Sequence, residues 1–112
     1  PTSFRQDGLE KRMLRRTSYR AIRTLRERFR AAARAGSWET CSLIVTQLYC
    51  HRLEGHALAE LIYADGYARE QRDDTYNARR CYELAASKGH TKAKRRLVAL
   101  GGALPPVPPV RH

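Results

Sequence analysis

Apolar residues recur every three or four positions from Ser18 onward, at Tyr19, Ile22, Leu25, Phe29 and then Ala32 or Ala33. That period puts them on one face of a helix. Thr17 or Ser18 can cap its start through a side-chain oxygen, and Gly36 can end it from the left-handed conformation. The spacing predicts a first helix over about residues 18–35. Beside the apolar stripe, Arg20, Arg23, Arg26, Arg30 and Arg34 keep the same step and form a basic band. Ser37 is placed to cap a second helix, with Glu39 favourably set against the dipole of its first turn. Leu43, Ile44, Gln47 and Leu48 carry that amphipathic pattern to about residue 51.

Gly55 interrupts the pattern. Residues 56–65 then read as a short apolar helix closed by Gly66, and the polar stretch that follows reads as a loop whose Asp73 or Asp74 can cap the next helix. Tyr76, Ala78, Cys81, Tyr82, Ala85 and Ala86 mark a helix over about 75–88, ended by Gly89. A last helix over 91–100 turns Ala93, Leu97 and Leu100 inward and Lys92, Lys94, Arg95 and Arg96 outward. No segment alternates as a strand would. Four prolines within residues 105–109 forbid a helix in the tail, which is expected to be extended or disordered. Its Pro106, Pro109 and Arg111 match the proline-plus-arginine spacing that aromatic grooves read, although a plain extended tail is the simpler reading. The chain thus divides into a basic segment (1–17), a helical domain (18–101) and a proline-rich tail (102–112).

Phe29, Ala32, Ala33 and Gly36 are echoed by Tyr82, Ala85, Ala86 and Gly89 at a constant offset of 53. Such self-similarity points to stacked helical units rather than one closed catalytic domain. Residues 58–101 carry Tyr63 and Gly66 three apart, Asp74 before the next helix, Ala78, Tyr82, the Ala85–Ala86 pair, Gly89–His90, and Ala93 with Leu97. In these residues the stretch resembles a Sel1-like repeat, the two-helix unit related to tetratricopeptide repeats, with Ala93 and Leu97 opening a further unit. The resemblance implies alanines that let paired helices approach closely, glycines that end each helix, and a protein-binding scaffold without catalysis. The expected fold is therefore all-α, a short solenoid of about five helices. Repeats bury their faces against neighbours, so a chain this short has either to be capped by its basic first helix or to pair with another copy or a larger complex.

Composition narrows the function. A chain of 112 residues, 42% hydrophobic and 29% charged, suits one folded domain. No apolar run approaches the roughly 18–20 residues of a membrane span. Residues 1–16 lack the apolar stretch of a secretory signal. Cys41, Cys50 and Cys81, odd in number and unrelated in spacing, fit reduced thiols in a cytoplasmic protein better than a disulfide framework.

The net charge of +11 divides into +8 over residues 1–36, −4 over 37–76 and +7 over 77–112. Two basic ends flank an acidic centre, which favours an anionic partner bound by the Arg20–Arg34 band and by Lys92, Lys94, Arg95 and Arg96. An acidic protein surface is the first expectation. The alternative is nucleic acid, held by guanidinium contacts to phosphate, without any base-reading motif.

Cys50, His51 and His56 lie close enough to suggest zinc, but they lack a fourth ligand in a metal-site spacing, and no acid is set to orient a Cys–His nucleophile. Neither a metal, a cofactor nor an enzymatic activity is expected. Among Tyr49, Tyr63, Tyr67, Tyr76 and Tyr82, helical spacing assigns most to the core. Tyr67, read as part of a loop after Gly66, is the candidate for a binding groove. These readings converge on a non-catalytic adaptor that holds an acidic protein in a helical groove and on basic surfaces.

Overall fold

A computed structural model describes the backbone of residues 3–101 and the side chains from residue 18 onward. The proline-rich tail, with its Pro106, Pro109 and Arg111, lies outside the described residues. Every regular element among the described residues is a helix: α1 (Ser3–Arg34), α2 (Trp38–Tyr49), α3 (Gly55–Gln71), α4 (Thr75–Ser87) and α5 (Thr91–Ala99).

The first helix starts at Ser3 and not near residue 18, so Thr17 and Ser18 lie inside it and cap nothing. The residues upstream explain why. Leu9, Glu10, Lys11, Arg12, Met13, Leu14, Arg15 and Arg16 form an unbroken run of strong helix formers. Ser37 stands at the start of α2, but its hydroxyl pairs with Thr40 Oγ1 at 2.7 Å and makes no bond to the helix backbone. Of the two acids considered for α4, Asp74 is the cap and accepts from the Asn77 amide, while Asp73 takes the left-handed conformation at φ 63°.

The internal echo is structural. At the end of α1 the Ser37 amide bonds Ala32 O at 2.8 Å and the Gly36 amide bonds Ala33 O at 3.0 Å. At the end of α4 the His90 amide bonds Ala85 O at 3.1 Å and the Gly89 amide bonds Ala86 O at 2.9 Å. Both are Schellman closures, and the residue after the helix has φ of +71° at Gly36 and +90° at Gly89, where a side chain would be strained. The same local sequence thus builds the same turn twice.

The third helix departs most from expectation. It does not stop at Gly66 but runs on to Gln71, taking in most of the stretch read as a loop. Gly66 is a close-packing position: a Cβ there would lie 2.9 Å from Cys81 Cβ and 3.0 Å from the Tyr82 ring. The missing side chain lets α4 come down onto α3.

Each helix packs chiefly on its neighbours in sequence, α1 on α2, α2 on α3, α3 on α4 and α4 on α5. Two apolar clusters result. Leu25, Cys41, Ile44, Val45, Leu48 and Leu61 bind the first three helices, with Ile22 and Phe29 of α1 packed at the edge. Ile62, Ala78, Tyr82, Ala85, Ala93 and Leu97 bind the last three. α3 supplies residues to both and is the shared wall. Fully burying each Leu or Ile contributes roughly 1.5–3 kcal/mol, whereas Ala78, Ala85 and Ala93, all at 0% exposure, act mainly by allowing the helices to approach.

Candidate interaction groove

Successive helical residues are about 100° apart, so the residues of α3 divide cleanly among its neighbours. Ala57, Leu61 and Ala64 point towards α1; Asp65 and Arg69 point between α2 and α4; Gly66 meets α4; Tyr63 and Glu70 turn towards α5. The arc left over lies around Glu60, between the directions of α1 and α5.

On its α1 side this arc forms a groove of about 160 Å³. Its floor is Phe29, Leu48, Leu53 and Leu61, and its rim carries Arg26 and Arg30 on one side and Glu60 on the other. Apolar side chains from the first core cluster therefore reach the surface directly beneath two exposed guanidinium groups. Glu60 is engaged in part by His56, whose Nε2 lies 3.4 Å from its carboxylate.

On the α5 side the arc is closed by aromatic rings. The Trp38 ring meets Tyr67 edge-on at 5.5 Å, Tyr67 lies 6.4 Å from Tyr63, and Tyr63 stacks on His90 at 4.7 Å. Tyr67 is accordingly a half-buried helix residue and not a loop residue, held by Trp38 and Tyr63 at the edge of the groove face. The other residues of the repeat pattern, Ala78, Tyr82, Ala85, Ala86, Ala93 and Leu97, are core.

His90 is buried and caps α5: its Nδ1 accepts the Ala93 amide at 3.2 Å. Burial lowers its pKa, since charging the ring there costs solvation, and His56 and Lys92 oppose the charge further while Glu60 favours it. The ring is neutral at pH 7, as a hydrogen-bond acceptor must be.

The basic residues separate into two groups. Arg20, Arg23, Arg26, Arg30 and Arg34 are all exposed on α1, and Lys92, Lys94 and Arg95 are exposed on α5. Arg96 is different. Helical period turned it outward, yet its Nε donates to Glu70 Oε1 at 2.7 Å, its Nη2 pairs with Glu70 Oε2, and the Tyr82 hydroxyl donates to Oε1 at 2.8 Å. These donors hold the Glu70 carboxyl below its usual range, and the Tyr82 phenol is raised, mainly by burial. Arg96 thus ties α5 to α3 and is half-buried in doing so.

A second polar cluster, which sequence reasoning missed, sits on the opposite side of α3. Buried Asp65 accepts from Tyr49 Oη at 3.0 Å and Arg69 Nε at 2.9 Å, with Cys81 Sγ at 3.6 Å. Burial, with the Asp65 charge adding to it, pushes the Cys81 thiol up to about 12, so it stays protonated and unreactive. The only sequence signal of this cluster was the four-residue spacing of Asp65 and Arg69. Among the described residues no group of three or more His, Cys, Asp or Glu is placed to hold a metal, and no helix is long and apolar enough to cross a membrane.

No family model, no curated protein and no solved structure matches the chain.

Proposed function

We propose that the chain is a short helical solenoid of the Sel1-like or tetratricopeptide type that acts as a non-catalytic interaction module. It holds an acidic segment of a partner protein in the groove between α1 and α3. The observation that carries this reading is the pairing of an apolar floor, Leu48, Leu53 and Leu61, with the exposed Arg26 and Arg30 on one rim. Such a surface suits an apolar side chain flanked by carboxylates: burial of the anchor supplies affinity, and the guanidinium pair selects charge and orientation. The chain's sequential helix packing and repeated Schellman closures support a repeat architecture.

A peptide-display selection against the whole chain tests it. Acidic sequences with one large apolar residue should be enriched, and Ala57→Trp, which fills the groove from a half-buried position, should abolish their binding without loss of helicity. Selected peptides that lack acids, or that bind the variant undiminished, would refute the groove.

A further inference from the structure

From Arg20 to Arg34, α1 spans about 21 Å along its axis and displays six exposed arginines, of which those at 20, 23, 26, 30 and 34 share one face and Arg28 lies on the far side. The single acid in this stretch is Glu27, whose pairing with Arg23 at 3.5 Å joins two side chains that are 75% and 61% exposed. A solvated pair of that kind neutralises little.

Three of these arginines have counterparts earlier in the sequence. In the sequence Arg5, Arg12 and Arg16 stand 18 residues before Arg23, Arg30 and Arg34, and α1 runs through all six positions. Eighteen residues are five full helical turns, so each pair occupies the same angle about the axis.

One aromatic residue lies within this band. Tyr19 is 71% exposed, and it lines a shallow depression of about 310 Å³ with Ile22, Arg23, Arg26, Glu27 and Arg30. It belongs to neither apolar cluster.

We infer that this face of α1 binds a single strand of nucleic acid, with the arginines on successive phosphates and a base stacked on Tyr19. Three physical arguments select this partner. Protein interfaces also favour Tyr and Arg, but an array of exposed arginines against one acid over about 21 Å is the strongly positive composition of a nucleic-acid interface. A helix seated in the interface of an anionic membrane inserts an apolar face into the lipid, and the apolar face of α1, Ile22, Leu25 and Phe29, is packed against the first core cluster, which leaves a membrane only charge attraction. A duplex offers phosphates but keeps its bases stacked on one another, leaving Tyr19 without a partner, while a single strand offers both. Contacts to phosphate and to the faces of bases do not depend on sequence.

Arg26 and Arg30 line both this face and the groove between α1 and α3, but Tyr19 lines only the first and Ala57 only the second, so Tyr19→Ala and Ala57→Trp distinguish the two surfaces. The experiment measures fluorescence anisotropy of labelled 15-nucleotide deoxythymidine and uridine oligomers with the full chain over a series of salt concentrations. Competitors are a 15-base-pair duplex and polyglutamate at equal charge. Tyr19→Ala should weaken oligomer binding roughly fivefold to a hundredfold, the loss of one stacked base, while Tyr19→Phe retains it. Arg23→Gln, Arg26→Gln and Arg30→Gln together should reduce the slope of log affinity against log salt by about 2, at roughly 0.7 per phosphate lost. Circular dichroism should report unchanged helicity for Tyr19→Ala, whose ring is exposed. The inference is overturned by no oligomer binding at low salt, by undiminished binding of Tyr19→Ala, or by displacement of the oligomer as readily by the duplex or by polyglutamate as by unlabelled oligomer.

Discussion

Replacing Gly66 by alanine should destabilise the protein, although alanine is the better helix former. Two opposing magnitudes decide the sign. Gly66 sits in the interior of α3, where a change to alanine ordinarily stabilises by about 0.5–1 kcal/mol through propensity alone. The added methyl, however, would stand 2.9 Å from Cys81 Cβ and 3.0 and 3.1 Å from two atoms of the Tyr82 ring. Cys81 Cβ is fixed to its backbone and cannot rotate away, and Tyr82 is at 0% exposure with its hydroxyl tied to Glu70, so neither neighbour can yield without shifting α4. Overpacking of that kind costs about 1–3 kcal/mol. The balance is a net loss of up to about 2.5 kcal/mol, or a fall in melting temperature of up to roughly 10–15 °C for a domain near this size. Urea unfolding followed by helical circular dichroism at pH 7 measures it, with an unchanged m-value expected because the surface exposed on unfolding is the same. A variant that is more stable than the parent would refute the reasoning, since it would mean that α4 does not rest on the bare backbone of α3.

Glu70→Ala should cost about 1–3 kcal/mol, because it leaves the buried Tyr82 hydroxyl without its acceptor. The Glu70 carboxyl titrates below 4.5 in the folded chain, so its stabilisation is fully present above that value and is lost as pH falls through the lower folded value. The stability gap between parent and variant, read from urea unfolding, should therefore narrow as pH falls below 4.5. His90 shows the opposite charge type with the same direction in pH. Its folded pKa lies below 6.5, so the stability it contributes is present above 6.5 and declines as acid protonates the buried ring and destroys the acceptor for the Ala93 amide. Thermal melts between about pH 7.5 and 5 should fall more steeply for the parent than for His90→Asn, which caps a helix through a group that does not titrate in this range; equal slopes would show that His90 does not couple the α5 cap to pH.

What could be read from the chain alone was whatever depends on residues a few positions apart. The helical period, the glycine closures at Gly36 and Gly89, an acidic cap before α4 at Asp73 or Asp74, and the echo between residues 29–36 and 82–89 are all decided within about one turn of the helix, and the structure bears them out with Asp74 as the cap. The apolar positions Leu25, Ile44, Leu48, Tyr82 and Leu97 fall in the core for the same reason.

The start of α1 and the unused Ser37 cap were misread from neighbouring residues, whereas in α3 and α5 a distant segment overrode the local signal. Gly66 after an apolar run has the local appearance of a helix end, but the approach of Cys81 and Tyr82 from α4 makes it a packing position in mid-helix, and Tyr67 moves from loop to helix with it. Arg96 belongs to the outward face by period, and only the meeting of α5 with α3 brings it to Glu70, 26 residues away. The groove is of the same kind, since Arg26 and Arg30 become its rim only when Leu53, Ala57 and Leu61 are laid beside them. Periodicity records which side of a helix is buried; it holds no record of which other helix does the burying, and that choice is made by the shape and charge of surfaces that meet only in the folded chain.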